Sequence, residues 1–437
     1  MVRLIASVDR TFGLGTNGKL PWKIDQEMKH FTQLTTGCTV IMGRKTWEYL
    51  PAKFRPLPNR KNIVITHQIL QDSFQDVIFT SDFEKTLSEE PDGWVIGGST
   101  LYQQALMSGN VSEVKISIID DVYSCDTYFP SGLLAKFSLD SMFTSVGKCS
   151  LTNKDQTIYY LTLKPSLASP YWWEFVPILN GENRYLAYLG CILDEIPRET
   201  RNAITNSTFH RSLSFNLLDG FPLITTKKMF WKGIVEELLF FLRGDTNAKH
   251  LSDKGVRIWN LNTTREFLDN RGLSHYKEGD MGPMYGWQWR HFGANYQGCD
   301  ANYTGIGFDQ LADVINKIRH DPNNRRILMT DYNPIQVEES VLAPCHSIVL
   351  QFYCDGEYLD CTMYQRSADI FIGVPFNIAS TSILLLLIAT VTRRVARWIH
   401  INFGDLHLYV DHIDAAMEQL TRSCFPLPTI KIVKYDP

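Results

Sequence analysis

Apolar and polar positions follow two different rhythms along the chain. Through residues 1–163, short β-branched or apolar runs recur: VRLIASV, TVIMGR, KNIVIT, DVIFT, GWVIGG, EVKISII and TIYYLTL. Each has the length of a strand. Between several of them the spacing becomes helical, as in DQEMKHFTQLT and STLYQQALM. This alternation predicts an α/β unit with a mostly parallel sheet, because parallel neighbours need a crossover. The stretch KPSLASPYWWEFVPILNGEN (164–183) carries three prolines and predicts a short joint, ordered by Trp172, Trp173 and Phe175 against a neighbour. From 184 to 437 the helical patterns lengthen, as in WKGIVEELLFFLRG, and SIVLQFYCDGEYLDCTMYQR reads as strands. That texture predicts an α+β unit. The run ILLLLIATV is about half of what a membrane-spanning helix needs and predicts a buried core helix.

Composition narrows the partners. At 437 residues and 44% hydrophobic, the chain can bury a large core and is long for one domain. A net charge of −4 gives no polyanion signal, so nucleic acid is not expected as a partner. Small basic clusters could still hold a small phosphorylated ligand. The nine cysteines are odd in number and scattered, without CxxC pairs or zinc-site spacing. This argues against a disulfide framework and a structural metal, and for a reducing, cytoplasmic setting. MVRLIASVDRTFGLG has no long apolar core, so neither a signal peptide nor a membrane anchor is expected.

Three features of the first unit converge on a nucleotide. The loop GLGTNGK leads to LPWKIDQEMKHF, where Glu27 and Phe31 are four apart on one helix face. IMGRKTW is a strand ending in Gly-Arg-Lys-Thr, and VIGGSTLY is a second strand running into a Gly-Gly turn. Each alone is an ordinary strand-to-helix turn. Together they place an extended ligand across the carboxyl ends of parallel strands.

LPW, Glu27, Phe31, GRKTW, RPLPNRKNIVIT, IGG with Tyr102, and DTYFP at 126–130 resemble dihydrofolate reductase in order and spacing. The resemblance implies that Glu27 binds the pterin amino edge and aids protonation, with Phe31 and Leu57 lining the pocket. It implies that Arg60 pairs with the substrate's α-carboxylate. Ala6, Gly43, Arg44, Lys45, Thr46, Thr66, Gly97, Gly98 and Tyr102 would contact NADPH, with Arg44 and Thr66 near its 2′-phosphate. Ser117 stands where the family usually has threonine beside the carboxylate, which keeps the hydroxyl.

In the second unit, VLAPCHSIVL puts Cys345 in an apolar stretch. The ten residues alone allow a nucleophile, a metal ligand or a packed thiol. A nucleophilic role needs cations and hydrogen-bond donors nearby. Arg325, Arg326, Arg366, Ser367, Asp369, Asn377, His407, Tyr409 and Glu237 are the candidates. Three or more arginines with a serine hydroxyl make a phosphate clamp, since guanidinium forks match phosphate oxygens.

FPLITTKK, EELL, GDTN, GPMYGWQWRHFG, DPNNRRIL, LAPCH, YQRSAD, GVPFNIAS and GDLHLY resemble thymidylate synthase from about residue 184 onward. A reductase followed by a synthase resembles the bifunctional dihydrofolate reductase–thymidylate synthase family of protozoa and plants. By that resemblance Cys345 attacks C6 of dUMP and Glu237 runs a proton network through water. Asn377 reads the uracil edge, and His407 and Tyr409 hold the deoxyribose. Arg366, Ser367 and Arg201 grip the phosphate, with Arg325 and Arg326 arriving from the partner of a homodimer. Asp369, Trp259 and Phe376 fall where the family binds 5,10-methylenetetrahydrofolate. His346 joins the substrate-binding set and is not assigned as the base.

Departures from the family lie in the second unit. RNAITN (201–206) has Asn202 and Ala203 where the family has Thr and Gly, which predicts a strained loop or another conformation there. Phe240 and Tyr332 replace tryptophans. Family members continue beyond the match to IKIVKYDP with a tail that closes over the ligands. If Pro437 is the natural end, substrate binding with weakened or lost methyl transfer is expected; if the chain is cut short there, nothing follows about activity. The alternative reading is a reductase carried on a synthase-like platform that only dimerises.

Overall fold

The computed structural model describes the chain apart from residues 69–73, 75–76, 167–172, 174–175, 177–180, 201–202, 423 and 434–437. It forms two compact units, residues 1–194 with 413–426, and residues 195–412 with 427–437.

The first unit contains β1 (Val2–Asp9), β2 (Gly13–Gly15), β3 (Thr39–Gly43), β4 (Lys61–Ile65), β5 (Val77–Thr80), β6 (Trp94–Gly97), β7 (Val111–Ile119), β8 (Thr127–Tyr128), β9 (Phe137–Lys148) and β10 (Asp155–Pro165). Eight of these form one sheet in the order β5-β4-β3-β6-β1-β7-β10-β9. It is parallel from β5 to β7, then antiparallel through β10 and β9. The buried middle strands are the near-continuous apolar runs expected of a sheet covered on both faces. The helices α1 (Asp25–Thr35), α2 (Arg44–Tyr49), α3 (Phe83–Glu89) and α4 (Ser99–Met107) connect them. Two of these begin and end where the periodicity predicts.

β9 was not among the predicted strands. Asp140, Ser141, Met142, Phe143 and Thr144 are all exposed, so its sequence lacks the apolar stripe that marks a strand. Pairing with β10 along its length holds it.

The helix α5 (Glu182–Leu193) belongs to this unit although its sequence continues into the second. Its Gly190 lies so close to Ala135 that an added Cβ would stand 2.5 Å from that methyl. The returning helix Ile413–Leu420 packs on it, with Leu420 against Gly132. Trp173, from the predicted joint, is buried edge-on to Tyr188, while Trp172 and Phe175 lie outside the described residues.

The second unit contains β11 (Pro197–Glu199), β12 (Ile204–Asn216), β13 (Leu328–Met329), β14 (Val349–Asp355), β15 (Tyr358–Asp369) and β16 (Val395–Tyr409), in the sheet order β11-β12-β16-β15-β14-β13. Its helices are α6 (Trp231–Leu242), α7 (Lys249–Ser252), α8 (Arg265–Asn270), α9 (Gly286–His291), α10 (Gln310–His320) and α11 (Gly373–Thr392). β15 and β16 run parallel, joined by α11 as the crossover. Asp360 pins their start by accepting two bonds from Arg397, at 3.0 and 2.6 Å, and one from the Trp398 amide. The bidentate fork fixes the register that ends in Asp369 opposite His407.

α11 is twice as long as its apolar run suggested. By length and composition it could cross a membrane. It is instead largely buried and packs on β15, β16, α6 and α10 within the unit.

Two candidate active sites

The first site is built on α1, β1 and the carboxyl ends of β4, β3 and β6. Glu27 faces inward from α1 and is 5% exposed. Burial pushes its carboxyl up to about 7, because the charged form loses its hydration. The Ser7 hydroxyl on β1 opposes this in part, through a contact too loose to count as a full hydrogen bond. Ser117, the hydroxyl singled out from sequence, sits opposite Ser7 in the β1–β7 register and is buried. Ser7 is therefore the residue that sequence reasoning missed. Nothing in its local sequence marked it, since only strand pairing brings it under Glu27.

One and two helical turns along, Phe31 and Thr35 meet Arg60. The guanidinium lies 5.8 Å from the Phe31 ring centre and donates to Thr35 Oγ1 at 2.9 Å. Asn62 braces this loop: it accepts from the Leu57 amide and donates to the carbonyls of Leu57 and Arg60. Leu57 is thereby held in the core cluster that Phe31 borders.

Gly43, Ile65 and Gly97 end three neighbouring parallel strands, with Met42 opposite Gly97 and Gly43 opposite Ile65. Gly97 has φ +132°, and a Cβ on it or on Gly98 would come within 3.4 Å of Thr46 Oγ1. The positive φ is what favours glycine at position 97, in the cradle between β6 and α2. Tyr102 is buried, and its hydroxyl donates to the Ile5 carbonyl, next to Ala6, at 2.7 Å. Lys45 is exposed, while Arg44 pairs with Glu48 at 2.6 Å. The Thr66 amide donates to the Thr80 carbonyl just beyond β4.

The second site is a chain of contacts around Cys345. Its Sγ is 3.3 Å from the Tyr285 hydroxyl, which also accepts the Cys345 amide at 3.2 Å. Tyr285 is held between Phe241, stacked at 4.9 Å, and His346, stacked at 4.6 Å, with Trp259 tilted at 6.0 Å. Trp259 Nε1 donates to Glu237 Oε1 at 2.8 Å. Burial pushes Glu237 up to about 7, and the indole N–H offsets part of that rise. The Cys345 thiol is also raised by burial, while Tyr285 and Arg366 lower it.

On the other side, the Ser367 amide donates to the Cys345 carbonyl at 3.4 Å. Gln365 Nε2 reaches the Ser367 carbonyl and Asn377 Oδ1, the latter at 2.9 Å. Arg366 grips the Pro344 carbonyl with two nitrogens, at 3.2 and 3.1 Å, which fixes the segment carrying the thiol. Asp405 orients His407 through Nδ1 at 2.9 Å and is itself paired with Arg198 at 3.0 Å. Tyr409 stands edge-on to His407 at 5.3 Å. Asp369 accepts from the amides of Phe371 and Ile372 and turns β15 into α11.

Sequence profiles of two families divide the chain between them. The dihydrofolate reductase family model matches residues 1–156 and the thymidylate synthase family model matches residues 183–436. A bifunctional dihydrofolate reductase-thymidylate synthase of Paramecium tetraurelia is 38% identical over 427 residues, spanning 96% of this chain and 90% of that protein. The chain belongs to the bifunctional dihydrofolate reductase–thymidylate synthase family. Relatives from Arabidopsis thaliana, 37% identical over 98% of this chain and 83% of that protein, and Leishmania major, 35% over 98% and 88%, carry the same description.

Glu237, Trp259, His346, Arg366, Ser367 and Asn377 join the contacts around Cys345, while Asp369 and His407 are opposite each other in the β15–β16 register, with Tyr409 beside His407. His346 is buried, its pKa pushed down to about 4, and its Nδ1 lies 2.9 Å from Ser347 Oγ. A neutral ring stacked on Tyr285 is a wall of the site. Arg201 lies outside the described residues. Arg325 and Arg326 are exposed beside β13, and their guanidinium groups are unpaired among the described residues. Asn202 also lies outside the described residues, and beside it the Thr200 hydroxyl donates to the Ala203 carbonyl. Sequence reasoning missed Tyr285, Gln365 and Asp405. All three lay inside or beside quoted motifs, but only the fold shows that they hold Cys345, Asn377 and His407.

A separate cavity of about 550 Å³ lies between Arg243–Thr246 and residues 299–309 and includes none of these groups.

Proposed function

We propose that the first unit reduces dihydrofolate to tetrahydrofolate with NADPH, and that the second methylates dUMP to dTMP with 5,10-methylenetetrahydrofolate. The observation that carries this reading is that each unit buries one carboxyl poised near neutrality, Glu27 and Glu237, beside the groups its reaction needs. The platform alternative has no such support, since a scaffold gains nothing from Cys345, Glu237 and Asn377 on one continuous contact path.

In the first unit, Glu27 as carboxylate holds the pterin's amino edge, and its neutral form, populated at the same pH, stores the proton the substrate takes up. Phe31 and Leu57 form the apolar wall, and Arg60 faces the α-carboxylate. NADPH supplies the hydride when bound. The cradle fits it: Gly43, Gly97 and Gly98 leave backbone bare, with Thr46, Tyr102 and Lys45 around it and Arg44 and Thr66 for the 2′-phosphate. Releasing Arg44 from its exposed pair with Glu48 costs about 0–1 kcal/mol, which a phosphate readily offsets.

In the second unit, Cys345 Sγ adds to C6 of dUMP once its proton has left. Tyr285 and Arg366 stabilise the thiolate, and Asn377, His407 and Tyr409 orient the nucleoside. Glu237, tethered by Trp259, moves protons through water. The co-substrate donates its one-carbon unit to C5 and then a hydride that reduces this carbon to methyl; loss of the C5 proton expels Cys345 from C6, and the co-substrate leaves as dihydrofolate, which the first unit consumes. Incubating the full-length protein with dUMP and 5,10-methylenetetrahydrofolate should produce dihydrofolate, and with NADPH present it should vanish as it forms. Absence of methyl transfer alongside normal dihydrofolate reduction would return the reading to the platform alternative.

A two-fold homodimer is part of the proposal. Arg325 and Arg326 are free to reach a partner, and Phe209, Val349, Tyr353 and Tyr364 are exposed along the six-stranded sheet. Light scattering should give twice the chain mass. Mixing Cys345→Ser with Arg326→Ala subunits should restore methyl transfer that neither shows alone. A cytoplasmic setting completes the reading, supported by nine free cysteines.

A further inference from the structure

The Arg290 guanidinium, on α9, joins three helices of the second unit. Nη1 donates at 2.6 Å to the carbonyl of Leu242, the last residue of α6, where helical partners run out. Nε and Nη2 both reach Asp309 Oδ2 at 3.0 Å. The other oxygen of Asp309 accepts the Ala312 amide and caps α10. That helix is fixed in turn, because Gln310 Nε2 donates to the carbonyls of Gln288 in α9 and of Thr330. One side chain thus clasps the end of α6 to α9 and to a third, anchored helix.

What the clasp holds is the start of α9. Tyr285, just before that helix, has φ +46° and ψ −111°, a strained backbone that persists only where its surroundings over-determine it. Its ring is stacked on Phe241 of α6 at 4.9 Å. A Cβ on Gly286 would collide with the Phe241 carbonyl, so the first turn of α9 lies directly on the end of α6. Trp289 stands edge-on to the same Phe241 at 6.1 Å. Leu242 follows Phe241, and the Arg290 bond therefore fixes the backbone on which Tyr285 rests. From there the Tyr285 hydroxyl lies 3.3 Å from Cys345 Sγ. We propose that Arg290 is a positioning residue of the synthase site: by clasping Leu242 to Asp309 it holds α6 against α9, keeps Tyr285 in its strained conformation, and so keeps the Tyr285 hydroxyl on Cys345.

Geometry matters here more than charge. The Arg290 side chain is 35% exposed, so solvent screens its ion pair with Asp309 and leaves that pair little worth by itself. A guanidinium fork nevertheless spans a carbonyl and a carboxylate at fixed angles, which a point charge cannot do. Arg290 also lines the cavity of about 550 Å³, together with Arg243, Thr246, His291 and residues of the 299–309 loop. Truncating its side chain would leave the vacated place open to that cavity, where a small guanidinium can enter and refill it.

The proposal rests on Cys345 being the nucleophile, and its main test needs no nucleotide. Iodoacetamide labelling of Cys345, read by peptide mass spectrometry on the full-length protein, reports whether the Tyr285 hydroxyl is in place, because that hydroxyl favours the thiolate. Arg290→Ala should slow labelling about tenfold, on the order of one lost hydrogen bond to a charged group. Tyr285→Phe should slow it as much, and the double variant no further than either alone. Methylguanidinium should restore labelling in Arg290→Ala but not in Tyr285→Phe, and methylammonium, which lacks the fork, should restore neither. In methyl transfer, Arg290→Ala should lower kcat while the dUMP KM stays within about twofold. Labelling at the wild-type rate or faster, additive losses in the double variant, or a loss that methylguanidinium does not restore each overturns the proposal. If Arg290→Ala does not fold, Arg290→Lys decides, since it keeps the stem and charge but cannot span Leu242 and Asp309. Slowed labelling that adds nothing to Tyr285→Phe supports the clasp, and wild-type labelling overturns it. Failure of the synthase reading itself would look different, as slowed and guanidinium-restored labelling in a protein whose wild type transfers no methyl group.

Discussion

Glu27 and Glu237 reach the same pKa, about 7, from different surroundings. Glu27 hangs from α1 over a parallel sheet and is eased by a loose contact with a strand hydroxyl. Glu237 sits in the middle of α6 and is held by a well-formed bond from the Trp259 indole. The rest of each site follows the same division. The first relies on bare backbone at strand ends, where Gly97 takes a positive φ that side chains rarely adopt. The second relies on side chains that hold other side chains, with Tyr285 on Cys345, Gln365 on Asn377 and Asp405 on His407. An extended dinucleotide needs a surface it can lie along, whereas a covalent step needs one sulfur aimed within a fraction of an ångström.

The largest expected effect tests whether the two chemistries are separate. Cys345→Ser should abolish covalent trapping of 5-fluoro-dUMP and all methyl transfer, while dihydrofolate reduction stays within about twofold. Continued trapping would mean another nucleophile. Next, Glu27→Gln should lower reductase turnover by about 10²–10³-fold at neutral pH with little change in NADPH affinity, in the range of lost general-acid catalysis. Glu237→Gln should lower methyl transfer comparably and leave the reductase alone. An unchanged rate in either case removes that carboxyl from its role.

Smaller effects separate the two surroundings. Trp259→Phe removes a bond that holds the Glu237 pKa down, so the pH profile of methyl transfer should move up, by roughly a unit. Ser7→Ala should move the alkaline limb of the reductase profile in the same direction but less, because its contact is looser. Equal shifts would erase the contrast drawn between the sites.

The last effect is on stability. Each carboxyl rises from 4.5 to about 7 on folding, worth roughly 3 kcal/mol of proton affinity. The folded state binds these protons more tightly, so this contribution is full below pH 4.5 and is lost as pH rises through 7. Denaturant unfolding should therefore become easier across that window. The Gln variants should flatten the slope, one unit at a time.

Much of the fold was legible because burial writes itself into the sequence. β1, β3, β4, β6 and β7 are apolar runs since both faces of the sheet are covered, and α1 and α4 show a helical period with abrupt ends. The misses share one cause. β9 and much of β12 are polar segments on an exposed edge or face, and they are strands because β10 and β16 pair with them. The family boundary near 183 also differs from the compact unit, which keeps α5 through the close Gly190–Ala135 contact. That contact depends on two residues far apart in sequence, and no local pattern encodes it.

The sequence by itself determined which chemistry the chain carries. Cys345, Glu27, Glu237 and the glycine turns are residue types with few other uses in that order. It also determined the two families, through motifs that keep their order and spacing. Only the tertiary structure decided what makes those groups work. It brought Tyr285 to the sulfur from 60 positions upstream and set Ser7 beneath Glu27. The physical reason is that reactivity depends on desolvation and on the field of nearby charges, and both arise from neighbours in space.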